Sequence, residues 1–224
     1  MILKSGGNIM QYGNYALDFQ GVDPYNPLNL PPFTIRVKFD NDFTPTQGTV
    51  VLVDPDQHIW DITYEPIDGQ LIIEYTVHMN MTELLGANTS GITNMDTMFQ
   101  YCRSLTSVSL FDTSSVTSME NMFEGCTSLT SVPLFNTSSC TDMYRMFGDC
   151  TSLTLVPLFD TSSCNFMSFM FYKCTNVQSG ALALYQQAST QANPPGNHHR
   201  CFYNCGVYTV TGAAELAQIP DDWK

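Results

Sequence analysis

The sequence predicts a β-rich α+β chain. A small antiparallel β-domain over residues 1–80 precedes a capped solenoid of 24-residue repeats over 81–224. Three observations predict it. Between residues 88 and 177 the same residue types return every 24 positions. Ahead of that stretch, apolar and polar residues alternate with period two. Behind it, a late copy of the motif and two helical patterns close the chain.

The β-domain begins with one or two short strands in residues 9–19. Residues 22–32 carry four prolines and read as an extended connector. Phe33–Phe39 alternates apolar and polar, as a half-buried strand does. Thr49–Val53 is the next strand, turned by Asp54-Pro55-Asp56. His58–Tyr64 follows. Asp68-Gly69 is a hairpin signal, which places a last strand over Leu71–Val77. Residues 80–87 would cap the repeats, because end coils need cover.

The repeat itself carries a fixed set of residues. Met98-Phe99, Met122-Phe123, Met146-Phe147 and Met170-Phe171 recur in step, as do Cys102, Cys126, Cys150 and Cys174. Leu110-Phe111, Leu134-Phe135 and Leu158-Phe159 form a third series. These residues are the expected core, Leu134 included. A leading partial copy is expected at Asn88–Met95. A trailing copy, Phe202-Tyr203-Asn204-Cys205, comes 7 residues late. One coil cannot bury its own apolar face, but stacked coils share a core. Each unit reads as a strand (Leu129–Val132) ended by Pro133, then one turn of helix. Val116, Met119, Met122, Phe123 and Cys126 would form the buried helical face. Strand plus short helix at this period is the leucine-rich-repeat pattern.

The string Ser-Leu-Thr-Ser-Val-Pro-Leu-Phe-Asx-Thr-Ser-Ser, followed by Met-x-x-Met-Phe-x-x-Cys, resembles the BspA-like leucine-rich repeats of bacterial surface proteins. The resemblance spans roughly residues 88 to 206. The tail 211–220 and the segment 26–32 are more loosely similar to repeat proteins of phages that infect gut bacteria. The resemblance implies extracellular interaction through protein binding or adhesion, and names no ligand.

After the repeats, Gly180–Ala188 reads as a helix with Ala181, Leu184, Tyr185 and Ala188 inward. Asn193–Asn197 is a loop, residues 211–217 a closing helix, and Trp223 a seal on the last coil.

Composition narrows the function classes. Eight basic residues face 21 acidic ones, for a net charge of −13. That field opposes nucleic acid and anionic membranes. No run of apolar residues approaches the ~20 of a membrane span. The N-terminus lacks the apolar stretch of a signal peptide. A phage or prophage virion appendage, made in the bacterial cytoplasm, is therefore expected; the alternatives are a secreted bacterial surface adhesin, which would need export, and a purely structural virion decoration protein. Seven of the eight cysteines occupy core slots, so free thiols are expected rather than disulfides; Cys201 alone lies outside the pattern.

No phosphate loop, metalloprotease helix or serine elbow occurs, so no enzyme and no cofactor are expected. His198, His199, Cys201 and Cys205 match no standard zinc spacing, and no metal is expected there. Asp112, Asn136 and Asp160 fit Asx turns better than a calcium ladder. Thr89, Thr113, Thr137 and Thr161 fit hydrogen bonding at a corner.

Five slots differ between copies. They hold Thr97/Asn121/Arg145/Phe169, Asp96/Glu120/Tyr144/Ser168, Gln100/Glu124/Gly148/Tyr172, Tyr101/Gly125/Asp149/Lys173 and Asn94/Ser118/Asp142/Phe166. Core slots are uniform, so these are expected on the surface. Either the variation reports neutral exposure, or Tyr101, Tyr144, Arg145, Phe166, Phe169 and Tyr172 form a binding face of hot-spot composition. The expected partners are a protein or glycan on a cell surface, or neighbouring virion proteins, with self-association among the options.

Overall fold

The computed structural model describes residues 10–12, 15–17, 26–39, 43–46, 48–73 and 75–224. Residues 1–9 and 18–25, with the start of the expected connector, lie outside the described residues. The fold is strand-rich with few helices. A two-stranded antiparallel ribbon joins β1 (Met10–Tyr12) and β2 (Tyr15–Leu17). A five-stranded mixed sheet contains β3 (Thr34–Phe39), β4 (Thr49–Asp54), β5 (Ile59–Thr63), β6 (Met81–Ala87) and β7 (Ser107–Val108). Its order is β4-β5-β3-β6-β7, antiparallel except for the β6–β7 pair. β3 is central, and Ile35, Val37 and Phe39 are buried there in strict alternation. The Arg36–Asp61 ion pair, 2.6 Å, ties β3 to β5 on the other face.

The strand expected at Leu71–Val77 is absent. The Asp68-Gly69 turn forms, with φ of 50° and 78° and an Ile67–Gln70 bridge. Past it the chain does not return along the hairpin. Gln70 instead pairs in parallel with Asn94, and that pairing continues to Ser118, Asp142, Phe166 and Asn197. A short helix, α1 (Tyr75–Asn80), leads into β6. The parallel series therefore starts at Gln70, 24 residues before the copy expected to lead it. β6 is not a separate cover: it pairs with β3 on one side and β7 on the other. This pairing crosses the expected domain boundary at residue 80, and a single cluster of buried residues runs from Ile35 to Trp223.

Two local expectations for the repeated region are corrected. The expected strand survives as β7 in the first copy, and later copies keep isolated hydrogen bonds, such as Thr130 N to Thr106 O and Thr154 N to Thr130 O. In the first copy Ser109 N donates to Leu84 O. The equivalent positions 133 and 157 are prolines, which have no N–H, so the ladder stops there. The expected helical turn is also absent. Residues 120–125 form consecutive tight turns instead. Met122, Glu124 and Cys126 N–H bond three residues back, to Met119, Asn121 and Phe123. The intervening Met119, Asn121, Phe123 and Gly125 N–H bond across to Asp142, Tyr144, Met146 and Gly148. An α-helix would direct every N–H along its own axis. Here alternate donors bind the next segment.

The core is a column of aromatic rings. Phe99, Phe123, Phe147, Phe171 and Phe202 stack at 5.4, 5.5, 5.2 and 6.0 Å between ring centroids. Phe111, Phe135 and Phe159 pack beside it from the opposite wall. Met98, Met122, Met146 and Met170 are buried with them, as are Cys102, Cys126, Cys150 and Cys174. Leu134 is not: it is 62% exposed, and Leu158 52%. Within each Leu-Phe pair the phenylalanine is buried in the core and the leucine is not. Burying the phenylalanine puts the leucine outside.

All eight cysteines are buried free thiols. Cys126, Cys150 and Cys174 Sγ–H donate to Phe99, Phe123 and Phe147 O at 3.0–3.1 Å. A thiol fits this slot because it is small, apolar and a weak donor. Cys201 is inside the pattern after all. Phe171 N donates to Cys201 O just as Phe147 N does to Met170 O, so Cys201 takes the methionine slot.

Buried threonines tie the segments together at a corner. Thr89, Thr113 and Thr137 donate to Asp112, Asn136 and Asp160 O in the next copy. Asp112, Asn136 and Asp160 side chains accept the N–H two residues on. Thr161 has no such copy ahead; its hydroxyl donates to the Gln191 side chain at the end of α2 (Ala181–Thr190). Helix α3 (Val210–Leu216) is capped by Thr209, whose hydroxyl accepts Gly212 N–H. Trp223 stacks on Phe202 and His198 and closes the column.

Candidate binding surface

The repeat leaves one side of the tight turns carrying different residues in each copy. In the last three segments those residues are large. Tyr144 and Phe169 meet edge to face at 5.8 Å, and Phe169 meets Tyr172 at 5.4 Å. Tyr172 stacks on Tyr203 at 5.3 Å, and His199 meets Phe169 at 6.0 Å. Three cations border these rings. Arg145 lies 5.5 Å and Lys173 5.0 Å from the Tyr172 centroid, and Arg200 5.4 Å from that of Tyr203. The result is a continuous aromatic ridge with cations along it.

The residues expected here are not equally placed. Tyr144, Arg145, Phe169 and Tyr172 belong to the ridge and are half-buried rather than exposed. Among the described residues no ring pair joins Tyr101 or Phe166 to it. Tyr101 instead lies across Gly125, where an added Cβ would come within 2.4 Å of its ring. The ridge gains His199, Lys173, Arg200 and Tyr203. His199, Arg200 and Tyr203 become visible once the last copy is read 31 residues on instead of 24. Phe169 then aligns with Arg200, and Tyr172 with Tyr203.

Three of the five variable slots carry a structural demand, although Thr97, Tyr101, Phe166 and Lys173 are exposed as expected. Two of them require left-handed backbone in every copy. Thr97, Asn121, Arg145, Phe169 and Arg200 have φ of 52–60°, and Tyr101, Gly125, Asp149, Lys173 and Asn204 have φ of 58–71° in all but the last, at 55°. Asn121, Gly125, Asp149 and Asn204 tolerate that conformation; Thr97 and Tyr101, off the ridge, and Arg145, Phe169, Lys173 and Arg200, on it, are strained in it. A third slot is interior at Glu124, only 6% exposed. Glu124 accepts from Gln100 Nε2 and faces Arg145 Nε at 2.8 Å, an ion pair without hydrogen-bond alignment. Arg145 Nη2 donates to Asp149 at 2.8 Å. Gly148 leaves room for the Arg145 stem, since a Cβ there would sit 2.6 Å from Arg145 Cγ. Burial opposes the Arg145 charge, but Asp149 and Glu124 outweigh it and raise the pKa of the guanidinium.

Further along, Glu120 and Asp142 are raised above the usual carboxylate range. Burial is the main cause for both, with the negative charges of Asp142 and Asp96 adding for Glu120 and that of Asp96 for Asp142. Burial pushes the Cys140 and Cys164 thiols up to about 12. Burial likewise raises Cys126, Cys150, Cys174 and Cys201 well above the ordinary thiol value, which disfavours their thiolates. His198 stacks on Trp223 at 4.1 Å, while Cys201 and Cys205 point into the core. Among the described residues, no three His, Cys, Asp or Glu side chains converge on a metal position. Among them also, no helix is long and apolar enough to cross a membrane.

The profile of a family described as Mycoplasma protein of unknown function, DUF285, matches residues 72–184, half of the chain. The chain belongs to this family. The match begins two residues after Gln70, where the parallel pairing starts. No curated protein matches the sequence. Two solved structures of bacterial leucine-rich repeat proteins are similar. That from Eubacterium ventriosum is 19% identical with a TM-score of 0.36, over 52% of this chain and 29% of its own. That from Bacteroides ovatus is 16% identical with a TM-score of 0.28, over 62% of this chain and 37% of its own. The chain thus spans about a third of the length of these structures.

Proposed function

We propose that this is a non-enzymatic binding protein. Its 24-residue coils stack as a leucine-rich-repeat-like solenoid, and the ridge on the last three coils meets the partner. One observation carries the reading. Large aromatic and cationic side chains occupy left-handed positions that Asn, Asp or Gly fill elsewhere in the array. Such strain costs stability and persists where a side chain serves another purpose. Tyr, Phe and Arg supply rigid contact area with polar tips. They offer no nucleophile paired with a base.

The partner is a molecule on a bacterial or mucosal surface, and the chain is displayed outside the cell that makes it. A phage or prophage virion appendage fits this reading, on the resemblance of segments 26–32 and 211–220 to phage repeat proteins. Adjacent tail or capsid genes would test that placement. The ridge itself is tested by cell attachment. His199→Ser with Tyr203→Ser should abolish attachment of the fluorescently labelled chain and leave its melting curve near that of the parent. Leu134→Ser, on the leucine side, should attach normally. Unchanged attachment of the His199/Tyr203 variant would move the binding face elsewhere, to the β4–β5 end.

A further inference from the structure

We propose that the ridge recognises an acidic polysaccharide, one bearing carboxylate or sulfate groups at regular intervals. This rests on the ridge being the binding face. The first argument is charge. The chain carries −13 overall, and among the described residues four of its seven lysines and arginines face acids. Arg36 pairs with Asp61, Lys38 with Glu83, Arg145 with Glu124 and Asp149, and Lys224 with Asp221. Arg103, Lys173 and Arg200 do not, and the last two lie on the ridge. Among the described residues neither has a carboxylate within ion-pair distance; both are exposed and lean on tyrosine faces at 5.0 and 5.4 Å. A π-face holds a cation in place without consuming its N–H donors. Those donors remain open to an anion from solvent, against the sign of the rest of the molecule.

The second argument is spacing. Tyr172 and Tyr203 occupy the same slot in successive segments, stacked at 5.3 Å and 16°. Each brings its own cation. The phenol thus repeats at the step of the stack, with a cation after it at Lys173 and before it at Arg200. A repeating site fits a repeating ligand. Side chains on one face of an extended peptide recur about every 6.5–7 Å and fall out of register. A step of 5.3 Å is close to the length of one sugar ring in an extended polysaccharide. The tyrosine faces are filled by each other and by the cations. Contact with the sugar is therefore through phenol oxygens and ring edges, and contact with its acid groups through Lys173 and Arg200.

The test uses the whole chain on immobilised polygalacturonate and on heparin, with dextran as the neutral control. The expected result is retention on the two polyanions, weakened by added salt, and none on dextran. Lys173→Gln with Arg200→Gln should weaken binding about tenfold or more, a loss of about 1.4 kcal/mol or more, with an unchanged melting curve. Failure of the parent chain to bind either polyanion overturns the proposal. So does equal binding by the double variant. Displacement by polyglutamate as readily as by soluble polygalacturonate also overturns it, and points to an acidic protein surface. If the His199/Tyr203 variant loses cell attachment while the parent ignores both polyanions, the ridge remains the binding face and only the glycan is wrong. If that variant attaches normally, the reading beneath fails as well.

Discussion

Leu134 and Phe135 are adjacent, both apolar and both repeated, yet the structure assigns them opposite energetic roles. Phe135 is 2% exposed and packs against Phe111 at 5.0 Å and Phe123 at 6.0 Å. Truncating a buried phenylalanine costs about 3–5 kcal/mol, from lost transfer energy and the cavity left behind. Two ring pairs vanish with it, so Phe135→Ala belongs in the upper half of that range. Leu134 is 62% exposed, and Leu134→Ala should stay within about 0.5 kcal/mol of the parent. Urea unfolding of the three proteins checks this, provided the slope with denaturant is unchanged. Hydrogen exchange gives a local reading. The Phe123 and Phe147 N–H groups, bonded across to Met146 and Met170, should lose protection in the Phe135 variant only. Equal destabilisation by the two substitutions would refute the assignment of inner and outer faces.

Arg145→Ala should cost roughly 2–3 kcal/mol, less than breaking a fully buried pair because Arg145 is part-exposed. Adding Glu124→Gln should recover part of that loss in a double-mutant cycle, and strict additivity would refute the coupling. Gly125→Ala should destabilise by about 1–2 kcal/mol through its left-handed backbone, and Lys173→Gly should raise the melting temperature slightly by relieving the same strain. Thiol reagents at pH 8 should label no cysteine in the native chain and all eight after unfolding, and neither reductant nor chelator should lower the melting temperature. A drop of several degrees with either would show a disulfide or a metal. Glu120→Gln should stabilise the chain at neutral pH. Burial and acidic neighbours raise the pKa of the native carboxyl, so its ionised form is penalised above that pKa. The advantage should disappear as pH falls through the carboxylate range, where native and unfolded chains are both protonated.

The period made much of the packing legible. Residues that recur unchanged, Met98-Phe99 and Cys102 among them, are the ones that stack. What the period could not show was secondary structure inside one unit. A 3.6-residue pattern in Val116–Cys126 satisfies a helix and an alternation of tight turns equally well, because both bury every third or fourth residue. The decision rests on where the N–H groups go, and half of them find acceptors in the neighbouring segment. The Asp68-Gly69 turn was legible and its consequence was not. The dipeptide fixes a reversal of the chain, but the partner of the residues after it is set by the whole stack, which claims Gln70 for Asn94.

The ridge was half legible for a different reason. Comparing copies separates core from non-core, and it treats every variable slot as free. Two of those slots carry a backbone demand that no side chain announces. Asn121, Gly125 and Asp149 meet it cheaply, which reads in sequence as mere variation. Arg145, Phe169 and Lys173 meet it under strain, and only φ shows the difference. Strain also changes what the variation means. Neutral drift at an exposed, left-handed position would settle on Asn, Asp or Gly, because these fold most favourably there. Arg145, Phe169, Lys173 and Arg200 run against that tendency beside the rings that touch one another, and Thr97 and Tyr101 run against it in the first copy. The sequence offered neutral exposure and a binding face as rival accounts of one observation. The two accounts predict different outcomes for one experiment: under neutral exposure the His199→Ser/Tyr203→Ser variant attaches normally, and under a binding face it does not.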